Sequence, residues 1–299
     1  MDPLAHGLWL AAIALVAAVI NGALGYGFSS ITVPLALLFL TSRILNPALV
    51  LVEVMINVYV LVVNGRSALP ALRRTLTIII GLLPGVVVGS LYLASVSPEY
   101  VKLFTYSVLL PLILLQAAGL RRPIRSERAI GLPFGAGIGL LYSVTTISGP
   151  PLAVMFNNQG YTKRDFRASL AVVRVAESSM TAITYLFLGL YKPSSFALLP
   201  SIMPAVLIGV PIGIVLIRTI DAETFRRVCM SFDAWIVGFG LSRVLPQMKI
   251  APEPAAYLVL LMIVFIDLVL LYRFFAQRAR RTLSHHAVVA SPSNGFDET

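Results

Sequence analysis

The stretch Asn21-Gly22-Ala23-Leu24-Gly25-Tyr26-Gly27-Phe28-Ser29-Ser30-Ile31-Thr32-Val33-Pro34 interrupts an apolar run near the N-terminus. A similar interruption follows halfway along the chain, where Gly137-Ile138-Gly139 leads to Ser148-Gly149-Pro150-Pro151. Both lie in strongly hydrophobic surroundings, where a chain normally runs as unbroken helix. Backbone without helical partners is tolerated at membrane depth only inside protein or beside a water-filled cavity. Paired interruptions in the two halves of a chain therefore point to the binding site of a transporter.

The composition of the chain places it in a membrane. Of its 299 residues, 58% are hydrophobic and 12% are charged, and the mean hydropathy is +0.89, which excludes a soluble enzyme. The net charge of +10 does not indicate a nucleic-acid partner, because the Lys and Arg residues lie in short loops between apolar segments. Cys229 is the single cysteine, so neither a disulfide framework nor a thiolate metal cluster is expected. We predict no cofactor and no metal.

The basic residues give an orientation if each interrupted segment is a hairpin that returns to the side from which it enters. One side then carries Arg66, Arg73, Arg74, Arg121, Arg122, Arg125, Arg128, Lys163, Arg164, Arg167, Arg218, Arg226, Arg227 and the tail arginines. The other carries only Arg43, Lys102, Lys192, Arg243 and Lys249. Because cytoplasmic loops are enriched in Lys and Arg, this predicts a multi-pass protein of the plasma membrane, with its N-terminus outside and its C-terminus in the cytoplasm.

The hairpin interpretation also predicts that the two halves have opposite orientations. A constant offset of 124 residues places Glu53 on Glu177 and Gly85 on Gly209. The predicted fold is an all-α polytopic membrane protein with two inverted-topology repeats, each opening with a broken helical hairpin. The predicted divisions are a first repeat (1–120), a cytoplasmic basic linker (121–128), a second, inverted repeat (129–245), an additional C-terminal transmembrane helix (253–276) and a disordered cytoplasmic tail (277–299).

These motifs resemble the TauE/SafE sulfite exporter family, whose members have two related halves that each open with a Gly-rich motif leading to a Pro. Residues 22–34 and 148–151 match that pattern, and residues 160–170 resemble the segment that follows the second motif. The resemblance implies transport of small sulfur-containing anions such as sulfite or organosulfonates, generally outward and without a prosthetic group. It covers roughly residues 8–245, so the final span lies outside it.

The interruptions supply the predicted substrate-binding residues. A broken helix offers free backbone N–H groups and the positive end of a helix dipole, and both suit an anion. An alternative is that these small residues only permit close packing between helices. Together with two polar residues on neighbouring spans, the predicted set is Asn21, Gly25, Gly27, Ser29, Ser30, Pro34, Asn57, Ser148, Gly149, Pro150, Pro151 and Arg174.

Charged residues within the spans are few, and each is costly unless it faces protein or water. Arg174 and Glu177 are three residues apart, so we expect them to share a helix face and pair. Arg174 is then one partner of a structural ion pair or, alternatively, the fixed cation that binds the substrate. Glu53 and Glu177 are the predicted proton-coupling residues, with plain inter-helix hydrogen bonding as the alternative. Asp267, on the final span, is assigned to packing or assembly.

These features predict a secondary transporter, with export as the expected direction, that carries a small sulfur-containing anion by alternating access. Coupling to protons is an open option. The expected partners are the small anionic substrate and the lipid bilayer, and the oligomeric state is left open. The alternatives are an anion channel, a transporter of small carboxylates and, least favoured, an intramembrane enzyme. Glycines that would allow close sliding contacts between helices are Gly81, Gly85, Gly89, Gly209 and Gly213.

Overall fold

The computed structural model describes residues 3–63, 68–118, 127–158 and 163–290, and all regular structure in these ranges is helical. The first half contains α1 (Pro3–Leu24), α2 (Phe28–Ala36), α3 (Ser42–Val63), α4 (Ala68–Ser95) and α5 (Pro98–Ala117). The second half contains α6 (Glu127–Thr145), α7 (Gly149–Asn158), α8 (Lys163–Phe187), α9 (Pro193–Phe196), α10 (Leu199–Leu216) and α11 (Ala222–Gln247). The last helix is α12 (Glu253–Ala290).

Eight stretches of the described residues are long and apolar enough to cross a membrane: α1, α3, α4, α5, α8, the α9–α10 segment, α11 and α12. In contrast, α2 has 9 residues and α7 has 10, and a helix needs about 20 to cross a hydrocarbon core. The prediction of an all-helical multi-pass membrane protein is confirmed. The two predicted interruptions are present too, between α1 and α2 and between α6 and α7.

Local backbone chemistry explains why the chain breaks at these two points. Between α1 and α2, Gly25 and Gly27 have φ angles of 82° and 109°, in the left-handed region that favours glycine. Between α6 and α7, Thr146 takes this conformation with a φ of 58°, which is uncommon for a residue other than glycine. α7 then starts at Gly149 followed by two prolines, which fit the first turn of a helix because it needs no N–H donors there.

Glycines let the interrupted helices lie directly against helices from the opposite half. The closest packing partner of α1 is α10, and that of α6 is α4. A Cβ atom added at Gly22 would lie 2.2 Å from the Val210 carbonyl oxygen, and one at Gly139 would lie 2.4 Å from the Leu82 carbonyl oxygen. The predicted glycines of α4 and α10 make equally close contacts at the same two interfaces; these are Gly81, Gly85, Gly89, Gly209 and Gly213. Close packing at these glycines is therefore confirmed.

We expect Gly85→Ala to destabilise the protein by about 2–3 kcal/mol, the upper range for overpacking a close-fitting interface. A Cβ atom at this position would lie 2.0 Å from the Ala136 carbonyl oxygen, so α4 and α6 would have to separate. The matched control is Gly137→Ala on α6, where an added Cβ meets nothing within 4 Å. Thermal unfolding of the purified protein should show a lower midpoint for Gly85→Ala alone. Equal midpoints for the two variants would contradict the interface.

A buried ion pair joins α11 to α12. Arg227 lies 2.8 Å from Asp267, and the Trp235 indole N–H donates to the second Asp267 oxygen at 3.1 Å. Arg227 is thus a buried residue of α11, although the sequence placed it among the cytoplasmic loop cations. Removing one partner of such a pair costs about 3–5 kcal/mol, which supports the predicted packing role of Asp267.

The C-terminal segment differs from its prediction. The sequence predicted a disordered tail from residue 277, but α12 continues to Ala290. Residues 276–283 are rich in Ala, Arg and Leu, which favour helix, and the first proline after Glu253-Pro254 is Pro292. The predicted basic linker 121–128 lies mostly outside the described residues, as does the tail beyond residue 290.

Candidate anion-binding site

Arg174 of α8 is a buried arginine, with 4% of its surface exposed. One guanidinium nitrogen lies 2.9 Å from Oε1 of Glu53 on α3. The other terminal nitrogen donates to the Asn21 side-chain oxygen and to the Gly25 carbonyl oxygen, each at 3.4 Å. Arg174 therefore connects α8 and α3 to the break between α1 and α2. One of its acceptors, the Gly25 carbonyl, lies directly after the end of α1.

The predicted pairing of Arg174 with Glu177 is wrong, because the partner of Arg174 is Glu53. Residues three apart share a helix face, but the long arginine side chain extends from α8 across to α3 and the first break. Glu177 instead accepts a hydrogen bond from Ser148 at the second break. The sequence spacing identified the helix face correctly and could not show which neighbouring helix supplies the carboxylate.

Glu53 is fully buried and accepts hydrogen bonds from three helices besides its own. Ser29 of α2 donates to Oε1 at 2.6 Å, Arg174 of α8 donates to the same oxygen, and the Tyr142 hydroxyl of α6 donates to Oε2 at 2.7 Å. Sequence reasoning missed Tyr142; a tyrosine close before the second interruption was the available signal.

Glu177 and Ser148 form the counterpart of Glu53 and Ser29. In each half, a serine at the break donates to a fully buried glutamate on the long helix that follows. Unlike Glu53, Glu177 keeps one oxygen, Oε2, without a hydrogen-bond partner among the described residues. Arg174 likewise has an unpartnered Nε. The site thus holds an unused donor and an unused acceptor, so it can take a further polar group.

Three of the remaining predicted residues hold the neighbouring helices and the breaks in place. Asn57 donates to the backbone carbonyl of Arg174 at 3.3 Å, so it holds α8 against α3. Ser30 donates to the Gly27 carbonyl at 3.0 Å and steadies the first break. Gly149 packs against the Tyr26 side chain.

Three predicted prolines lie apart from Arg174. The Pro34 carbonyl accepts a hydrogen bond from the Tyr106 hydroxyl at 3.0 Å, on the far part of α2. Pro150 and Pro151 occupy the first turn of α7, where Pro150 lines a separate small cavity. Within the described ranges, no group of three or more His, Cys, Asp and Glu side chains is placed to hold a metal ion.

Membrane-length helices packed around two interrupted ones, with a buried guanidinium at the breaks, define a multi-pass membrane transport protein. The chain belongs to the TauE/SafE sulfite exporter family: the family model "Sulfite exporter TauE/SafE" matches residues 10–240. The resemblance predicted from the interruptions is therefore confirmed, and members of this family are transporters rather than enzymes. α12 lies beyond the matched residues.

A distant relative comes from Cupriavidus necator (strain ATCC 17699 / DSM 428 / KCTC 22496 / NCIMB 10442 / H16 / Stanier 337). That protein is described as "Probable sulfite/organosulfonate exporter TauE". The two chains are 28% identical over 197 residues, which cover 62% of this chain and 75% of the relative. No solved structure gives a significant match.

Proposed function

We propose that the protein is a secondary transporter that exports a small sulfur-containing anion, such as sulfite or an organosulfonate, across the plasma membrane by alternating access. The family and its relative from Cupriavidus necator support the substrate class. The observation that carries the proposal is a buried arginine at the first helix break, held by a carboxylate that an anionic substrate can replace.

Arg174 is suited to bind the substrate because a guanidinium presents planar, paired donors to the oxygens of a sulfite or sulfonate group. In the structure, Glu53 takes one of these donors and the hairpin oxygens of Asn21 and Gly25 take weaker positions at 3.4 Å. A substrate oxyanion would replace Glu53 at Arg174 and would also use the unpartnered Nε.

The charges of the site explain how protons would be coupled to transport. Arg174 contributes one positive charge, whereas Glu53 and Glu177 contribute two buried carboxyl groups. An anion bound beside two ionised carboxylates would leave several buried negative charges with a single cation, which is very costly at low dielectric. Protonation of Glu53 removes the competitor for Arg174, so the proton and the anion bind together and travel in the same direction.

The membrane potential favours export of a divalent anion with this stoichiometry. A dianion that travels with one proton carries a net charge of −1, and an inside-negative membrane potential drives that charge outward by about 2.3 kcal/mol per 100 mV. A monovalent sulfonate with one proton is electroneutral, so the concentration gradients of the anion and of the proton would together set its direction. In both cases the direction of anion transport is set without a cofactor.

Alternating access would use the two halves as an inverted pair. The matched Ser29–Glu53 and Ser148–Glu177 hydrogen bonds support this arrangement. So does the reciprocal packing of α1 on α10 and of α6 on α4. We propose that the halves rock against each other around Arg174, with the first hairpin entering from outside and the second from the cytoplasm.

Flux into proteoliposomes tests the function directly. Vesicles that contain the purified protein should take up labelled sulfite or an organosulfonate saturably, and internal unlabelled anion should accelerate uptake by exchange. Small carboxylates and chloride serve as competitors. Flux that does not saturate and shows no exchange would identify a channel, and preferential uptake of a carboxylate would overturn the substrate class.

A further inference from the structure

A small, mainly apolar cavity lies beside the first break, and several polar side chains reach its wall. Its wall includes Tyr26 and Ser30 beside the break, Gln116 at the end of α5, and Arg226 and Asp233 of α11. Its volume is about 10 Å³, roughly the space for one water molecule. The cavity is therefore closed in this structure, although polar and charged side chains from three separate parts of the chain converge on it.

Two of these side chains have unused hydrogen-bonding capacity. Asp233 is 7% exposed, and its Oδ1 has no hydrogen-bond partner among the described residues. A buried acceptor without a donor costs about 1–3 kcal/mol, so the closed cavity requires a hydrogen-bond donor, which a water molecule supplies. An oxyanion can take the place of that water only with a proton on the Asp233 carboxyl group, which then donates to it. Arg226 lies two helical turns before Asp233 on α11 and so presents its charge on the same helix face. It makes no hydrogen bond within the described part of the chain.

Tyr26 lines this cavity and also packs beside residues that neighbour the Arg174 site. Its ring packs against Gly149: a Cβ atom added there would lie 3.0 Å from the tyrosine ring. Its hydroxyl accepts a hydrogen bond from Gln116 at 3.0 Å. The residues that precede Tyr26 and Gly149 in the sequence belong to the Arg174 site. The Gly25 carbonyl accepts a hydrogen bond from Arg174, and Ser148 donates one to Glu177.

We propose that this cavity is a second position for the transported oxyanion, on the access route to Arg174, where Arg226 binds the anion and Tyr26 closes the passage. The inference rests on the proposed function and assigns two further residues to it. Arg226 lies near the start of α11 and Gln116 near the end of α5, the ends that the distribution of basic residues assigns to the cytoplasm. The position is thus the one that an exported anion would meet first.

The single cysteine of the chain gives a direct probe of this route, because Cys229 lines the same cavity. The rate at which N-ethylmaleimide labels Cys229 in proteoliposomes measures how often the cavity opens, and mass spectrometry reads it. Methanesulfonate is a suitable ligand probe because, unlike sulfite, it does not add to maleimides.

We expect Tyr26→Ala to accelerate labelling of Cys229 about tenfold, because the closed form would lose about 1.4 kcal/mol of stability relative to the open form. Tyr26→Phe keeps the ring and loses only the bond from Gln116, so it should accelerate labelling much less. Unchanged labelling in Tyr26→Ala, in protein that still elutes as a monodisperse species, would overturn the gating assignment. If the alanine variant does not fold, Tyr26→Leu is the second test, because it keeps an apolar side chain and removes the ring; labelling no faster than in the natural protein would then contradict the gate.

Protection by ligand tests Arg226. Methanesulfonate should slow labelling of the natural protein, and Arg226→Gln should weaken that protection about tenfold, as expected for a lost charged hydrogen bond. The matched control is Arg218→Gln, which removes an exposed arginine at the same membrane side. If methanesulfonate protects Cys229 equally well in Arg226→Gln, the second anion position at Arg226 is overturned, even when anion flux is normal. Absent flux with intact protection would instead overturn the proposed function.

Discussion

Arg174→Gln is expected to lower the apparent affinity for the transported anion about 100-fold, measured as the concentration dependence of exchange in proteoliposomes. Two charge-assisted hydrogen bonds from the guanidinium to the anion are lost, at about 1.5 kcal/mol each. The glutamine amide retains one donor group but no charge. Arg174→Lys should recover part of the affinity because it restores the charge without the planar fork.

The control for this prediction must separate binding from folding. Arg174→Gln leaves Glu53 buried without its cation, which alone can cost about 3–5 kcal/mol. The double variant Arg174→Gln, Glu53→Gln removes both charges, so it should unfold at a higher temperature than the single variant and still bind the anion weakly. Recovery of natural affinity in the double variant would show that Arg174 serves only the ion pair, and the anion-site assignment would fail.

The sequence was sufficient to predict the two interruptions because their signal is local. Glycine at positive φ and proline in a first helical turn are properties of a few adjacent residues, and both appear where the sequence placed them. The same holds for Glu53 and Arg174, since a charge inside an apolar span must face protein. These residues could be named without knowing how the helices are arranged.

Partners across helices could not be predicted, because they depend on how the helices pack. Arg174 was expected to pair with Glu177 on its own helix, but α3 lies beside α8 and brings Glu53 within 2.9 Å. The Tyr142 hydroxyl reaches Glu53 only because α6 also approaches α3. Similarly, Arg227 was counted as a loop cation, yet the approach of α12 makes it half of a buried pair. Sequence spacing identifies a helix face, whereas the neighbouring helix determines the contact.

Glu53→Gln is expected to abolish proton-driven accumulation of the anion while leaving anion exchange intact. The amide is similar in size to the carboxyl group and mimics its protonated form, so Arg174 stays available to the substrate at every pH. The affinity of Glu53→Gln for the anion should therefore be at least that of the natural protein.

The measurement is accumulation of labelled anion in proteoliposomes that are acidic outside and alkaline inside, compared with exchange at equal pH. Glu177→Gln is the matched variant, because Glu177 is equally buried and also accepts from a hairpin serine, but makes no hydrogen bond to Arg174. If competition for Arg174 couples the proton to the anion, Glu177→Gln should retain accumulation and Glu53→Gln should lose it. The reverse result would transfer the coupling role to Glu177, whose unpartnered oxygen would then mark the proton site. Accumulation in both variants would exclude both carboxyl groups and leave the Arg174–Glu53 pair as a structural contact.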